Sequence, residues 1–180
     1  MRLRQSLLPL AALVLAACTA SDDLSAPPPD LGDFRLAHNI IVAPNLTKGP
    51  LSRPAGKAEW IKAVRGAVDA RLRRHEGEKL YNLGIALEGY VLAKPGVPVV
   101  ASPKSVLLLR VTVWDDAEGT KLSKAPKAFT VFESLSGDTV VGSGLTLSKE
   151  EQMANLAQNA ALQIERWLLR QKREEGWFEG

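Results

Sequence analysis

"KLYNLGIALEGYVL", residues 79–92, decides how this chain is read. Tyr81, Leu83, Ile85 and Leu87 alternate with Asn82, Gly84, Ala86 and Glu88. A period of two places every apolar side chain on one side of an extended strand, as in a sheet with one face on a core. "VLLLRVTVWDD", residues 106–116, repeats the pattern, with Leu107, Leu109, Val111 and Val113 on one face. "DDAEGTKL" after it reads as a turn. Upstream, "FRLAHNIIVAP" carries Ile40, Ile41 and Val42 and stops at Pro44, a first strand, and "NLTKGPLSRPAG" is a Gly- and Pro-dense loop. Downstream, "KAFTVFESL" and "DTVVGSGL" read as two further strands, joined by a hairpin turn at Ser136-Gly137-Asp138.

Two segments change period. From Lys57 to about His75, Ile61, Val64, Val68 and Leu72 recur at helical spacing, with Trp60, Ala63 and Ala67 beside them. Gly77 sits where helices commonly end, and Arg71, Arg73 and Arg74 suit the negative end of the helix dipole. His75, among these arginines, reads as solvent-facing. "SKEEQMANLAQNAALQIERWLLRQ", residues 148–171, opens with a capping box of Ser148 and Glu151. Met153, Leu156, Ala157, Ala160, Ile164, Trp167 and Leu168 follow on one face, and Gln152, Asn155, Gln158, Asn159, Glu165 and Arg166 read as the polar side. The order strand, helix, four strands, helix predicts an α+β fold: a largely antiparallel sheet of about five strands with two amphipathic helices on one face. The tail Trp177-Phe178 either caps the core or stays out for a partner or a membrane.

The first residues belong to another regime. Arg2 and Arg4 precede an apolar run, Leu7–Ala17, too short to span a bilayer and followed by small residues, which is the pattern of an export signal. Residues 1–17 therefore read as a signal peptide, 18–33 as a Pro-rich tether led by Cys18, and 34–180 as one α+β domain. Fully stretched, the tether spans up to roughly 50 Å. Removing the signal takes away Arg2 and Arg4, leaving 21 basic against 20 acidic residues. A near-neutral chain has no broad electrostatic footprint for nucleic acid. Cys18 is the only cysteine, so no internal disulfide can form.

Catalytic and metal chemistry find little footing. The two histidines, His38 and His75, lie in different elements without ligand spacing. Ser143, in "GSGL", lacks the five-residue nucleophile elbow. Asp115, Asp116 and Glu118 fit a turn better than an acid/base pair or a calcium loop. Lys121, Lys124 and Lys127 read as protection of a strand edge. No cofactor or metal site is expected, and no enzyme activity.

"LAAC", Leu15–Cys18, resembles the lipobox of bacterial lipoproteins at every position. The resemblance implies cleavage before Cys18, lipid attachment to its thiol and anchoring to a membrane by more than one acyl chain. Thr19 stands where an Asp would resemble an inner-membrane retention signal, which points to the outer membrane. With the order of elements, the lipobox looks like the small accessory lipoproteins of bacterial envelopes. Residues 129–168 are similar to an uncharacterised alphaproteobacterial lipoprotein family, and the α/β plan loosely to curli-secretion and transport-auxiliary lipoproteins. These likenesses imply a non-catalytic module that binds an envelope protein or itself. The alternatives are a binder of an apolar or glycolipid ligand and a hydrolase using Ser143 or the Asp115/Asp116 pair.

Overall fold

Helix α1 (Lys57–Leu72) separates strands that run the same way, because a strand–helix–strand crossover returns the chain to the end it left. β1 (Phe34–Val42) lies parallel to β3 (Lys79–Val91), and the two-residue β2 (Thr47–Lys48) joins the same edge of β3, at Gly89 and Tyr90. β3 then pairs antiparallel with β4 (Val106–Asp115), and β4 with β5 (Lys127–Phe132). The sheet order is β1-β3-β4-β5. Helix α2 (Lys149–Glu175) follows. This computed structural model describes residues 24–94, 105–133 and 147–179, so the strand expected at 138–145 and its hairpin at 136–138 lie outside the described residues. The fold is α+β: a five-stranded, mostly antiparallel open sheet with both helices on one face.

Two register irregularities keep the apolar side chains inward. Phe34 and Leu36 face the core before the break between Leu36 and His38, and Ile41 and Ala43 face it after. The break between Leu87 and Gly89 does the same for β3, passing the buried phase from Leu87 to Tyr90 and Leu92. One extra residue reverses which side of the pleat a side chain takes, so each bulge corrects the alternation for the chain beyond it.

The helices bury most of the stripes that their spacing predicts, with Trp60 rather than the half-buried Ile61 at the start of the α1 stripe. Trp60, Val64, Val68 and Leu72 of α1 are fully covered, as are Leu156, Ile164 and Leu168 of α2. Ser148 accepts from the Glu151 N–H at 3.1 Å, and the Glu151 carboxylate accepts from the Ser148 N–H at 2.7 Å, so the expected capping box starts α2. Gly176 ends α2 in the left-handed conformation (φ 67°). α1 ends at Leu72, short of His75. Gly77 is needed for another reason than helix capping: a Cβ there would lie 2.3 Å from the backbone of Asp33.

The tail folds back. Phe178 is 3% exposed and stands edge-on to Phe34 and Tyr81, while Trp177 packs on Trp167. It meets the residues that lead into β1. Leu31 is buried, the Asp33 N–H donates to the Phe178 carbonyl at 2.8 Å, and Lys172 pairs with Asp30 at 2.9 Å. Packing thus reaches upstream of Phe34, into the segment read as tether.

Candidate interaction surfaces

The sheet has a second face, and no helix or strand of the described residues covers it. Strand alternation sends Ile40 and Val42 of β1, Leu80 of β3, Leu108 of β4 and Phe132 of β5 to that side, where they are 39–56% exposed. Ile40 lies beside Gly84 and Thr112, Val42 beside Ala86 and Arg110. Gly84 leaves room for the Trp114 ring, whose Cζ3 would sit 2.7 Å from any added Cβ, and Lys121 lies over that ring at 5.7 Å. Arg110 and Glu88 pair at 2.9 Å. The surface therefore sets exposed apolar side chains among polar neighbours and the Arg110–Glu88 ion pair, which is the composition of a patch that meets another molecule.

A groove of about 520 Å³ runs along the helix layer on the side away from the sheet. α1 and α2 lie side by side in the same direction: Lys149 at the start of α2 pairs with Glu59 at the start of α1, and Glu165 further on pairs with Arg71. Ala63, Gly66 and Ala67 from one helix and Met153, Ala154 and Ala157 from the other form the floor, and Leu24 forms one wall. Small side chains leave the groove open because neither helix fills the space above the contact.

Beneath one end of that groove lies a buried charged cluster. Glu165, 3% exposed, accepts from Arg71 Nη1 at 3.0 Å through one carboxylate oxygen and meets His75 Nε2 at 3.0 Å through the other. Burial pushes its carboxyl up, but the hydrogen bonds from His75 and Arg71 and their charges outweigh that and hold it below the usual glutamate range. The structure corrects three sequence expectations here. His75 is buried against Phe34 rather than solvent-facing, and Glu165 belongs to the interior rather than to the polar side of α2. Gln152 is also interior, donating to the Ala93 carbonyl at 3.1 Å. The missed signal was the Arg71–His75 pair at the end of one helix, which needs an acid wherever it is buried.

The remaining sequence candidates disperse. Cys18 and Ser143 lie outside the described residues. Asp115 caps its turn by accepting from the Glu118 N–H at 3.0 Å, with Gly119 at φ 64°, and Asp116 accepts from the Asn82 amide at 2.6 Å. His38 is exposed on β1, and Lys121, Lys124 and Lys127 are exposed at the approach to β5. Among the described residues, no group of three or more His, Cys, Asp or Glu could hold a metal ion, and no helix is long and apolar enough to cross a membrane.

No family model matches the chain, and no curated protein matches it in sequence. Solved structures do. Protein XCC0632 from Xanthomonas campestris, of the DUF330 family, is 13% identical, with 83% of this chain and 93% of that chain covered at a TM-score of 0.48. A candidate lipoprotein from Caulobacter crescentus is 14% identical over 81% and 93%, at 0.39. The PelC dodecamer from Paraburkholderia phytofirmans is 14% identical over 75% and 91%, at 0.37. All three TM-scores are below 0.5, and none of these likenesses decides a functional question.

Proposed function

We propose that this protein is a lipoprotein of the bacterial envelope, anchored through lipid on Cys18, whose domain is a non-catalytic module for binding another envelope protein or assembling with itself. The observation that supports this reading is the outer sheet face. Ile40, Val42, Leu80, Leu108 and Phe132 hold apolar surface in solvent while the same strands bury their other side completely. Exposed apolar area of this kind is ordinarily covered in the working state. The lipobox-like "LAAC" supplies the anchor, and the absence of an Asp at position 19 favours the outer membrane. A second reading, a binder of an apolar or glycolipid ligand, is supported by the groove between α1 and α2.

Photo-cross-linking residues placed at Ile40 and at Phe132 in the native envelope test the first reading. The expected result is a dominant protein adduct from both positions, lost or reduced in Cys18→Ala. No adduct from either position, with an unmodified Cys18 in the intact mass, overturns it.

A further inference from the structure

The groove between α1 and α2 begins where the N-terminal segment ends. Leu24, the first described residue, lines it, and the Arg74 guanidinium donates to the Ala26 carbonyl nearby. Cys18 is six residues upstream, within roughly 20 Å at full extension. The groove follows α1 from Glu59 to Arg71, about 18 Å of helix at 1.5 Å per residue. Ala63, Gly66, Ala67, Met153, Ala154 and Ala157 line it, with Glu59, Lys62 and Glu150 among the polar lining, and an apolar lining drawn out along a helix suits a linear apolar body better than a compact ligand.

Gly66 is an independent sign. It sits in the interior of α1, exposed, and a Cβ there would meet no atom of the described residues within 4 Å. An interior helical glycine weakens a helix by roughly 0.5–1 kcal/mol relative to alanine. Neighbours in the described residues give no steric reason for it, unlike Gly77 and Gly84. A body lying directly on the α1 backbone does.

We propose that this groove binds one acyl chain, the one carried by Cys18 of the same molecule, so that the domain shelters part of its own anchor. The proposal rests on the reading of Cys18 as the lipid attachment point. One chain fills the groove and the remaining acyl chains stay in the bilayer, which holds the helix layer close to the membrane and turns the outer sheet face away from it.

The test uses the full mature protein in phospholipid vesicles. Cys18 is the sole cysteine and its thiol is blocked once acylated, so Ala154→Cys supplies a single reactive thiol in the groove. Its maleimide labelling rate is compared with that of Ala154→Cys in a Cys18→Ser background, measured beside the same vesicles. Arg65→Cys, exposed on α1 next to Gly66, reports general shielding by the bilayer. Docking predicts labelling slower by about tenfold or more at Ala154→Cys in the acylated form, because access then waits on an opening of the site, with little change at Arg65→Cys. Intact mass separates the failures. An unmodified Cys18 overturns the anchor reading and this one with it. An acylated Cys18 with equal rates overturns the docking alone. Slow labelling in both forms that depends on protein concentration places a second copy in the groove and also overturns it.

Discussion

Truncating Glu165 tests whether the buried cluster holds the two helices together. The carboxylate is 3% exposed and both its oxygens are used, one by Arg71 and one by His75, each at 3.0 Å. Glu165→Ala removes the acid that offsets the buried guanidinium and leaves a void between α1 and α2. Breaking a buried ion pair from one side costs about 3–5 kcal/mol, a large share of the roughly 5–15 kcal/mol by which a domain is stable. At about 2–4 °C per kcal/mol for a domain of this size, the melting temperature falls by roughly 6–20 °C. Urea denaturation gives the same quantity through its midpoint at constant slope. Replacing Arg71 together with Glu165, Arg71→Met with Glu165→Leu, recovers part of the loss, since the apolar pair needs no compensating charge while His75 still loses its acceptor. The sign with pH follows from the lowered carboxyl. Its contribution is complete above the usual glutamate range and disappears as the pH falls through the folded-state value, so wild type loses stability on acidification below about pH 4.3. Glu165→Gln flattens that part of the curve. A cost for Glu165→Ala of under about 1 kcal/mol, the scale of surface changes, refutes the cluster as a structural tie.

Phe178→Ala empties a site shared with Phe34 and Tyr81 and is expected to cost about 3–5 kcal/mol in urea denaturation. Gly66→Ala and Gly77→Ala part in sign in the unacylated protein: the first, in open space, stabilises α1 by roughly 0.5–1 kcal/mol. The second drives a Cβ into the Asp33 backbone and lowers the melting temperature. Paired Ile40→Lys and Phe132→Lys substitutions leave stability within about 1 kcal/mol, because both side chains are already 56% exposed. The same pair abolishes the adducts that cross-linking from the sheet face yields.

Strands and helices were legible where one face is apolar and the other polar. The alternation in residues 79–92 and 106–116 and the helical stripe after Ser148 each mark a single buried side, and the structure buries those sides. The signal fails where an element has two neighbours. α2 packs on the sheet and also on α1, where Glu165 pairs with Arg71 and Ala157 lines the groove, and alanines carry too little hydrophobic contrast to announce a second interface. On spacing alone Glu165 and Gln152 therefore read as solvent-facing. Strand direction is not written in alternation at all; the parallel placement of β1 follows from the α1 crossover. β2, two residues among Gly and Pro, has no period to read. The outer sheet face was half legible: Ile40 and Phe132 stand in strand sequence, but only the register shows that they share a side with Leu108.

The clasp between the two ends of the domain has a mechanical consequence. A pull transmitted along the chain to Leu24 reaches the Arg74 contact at Ala26 first, then the Asp30–Lys172 pair, and only then Leu31 and the Asp33–Phe178 hydrogen bond. These joints lie in series, so tension loads them one at a time, like a zip. β1 behind them is held along its length by parallel pairing with β3, which resists sliding across many hydrogen bonds together. Drag on the domain would thus be taken up by the outermost joints, which can reseat, before any strain arrives at the sheet.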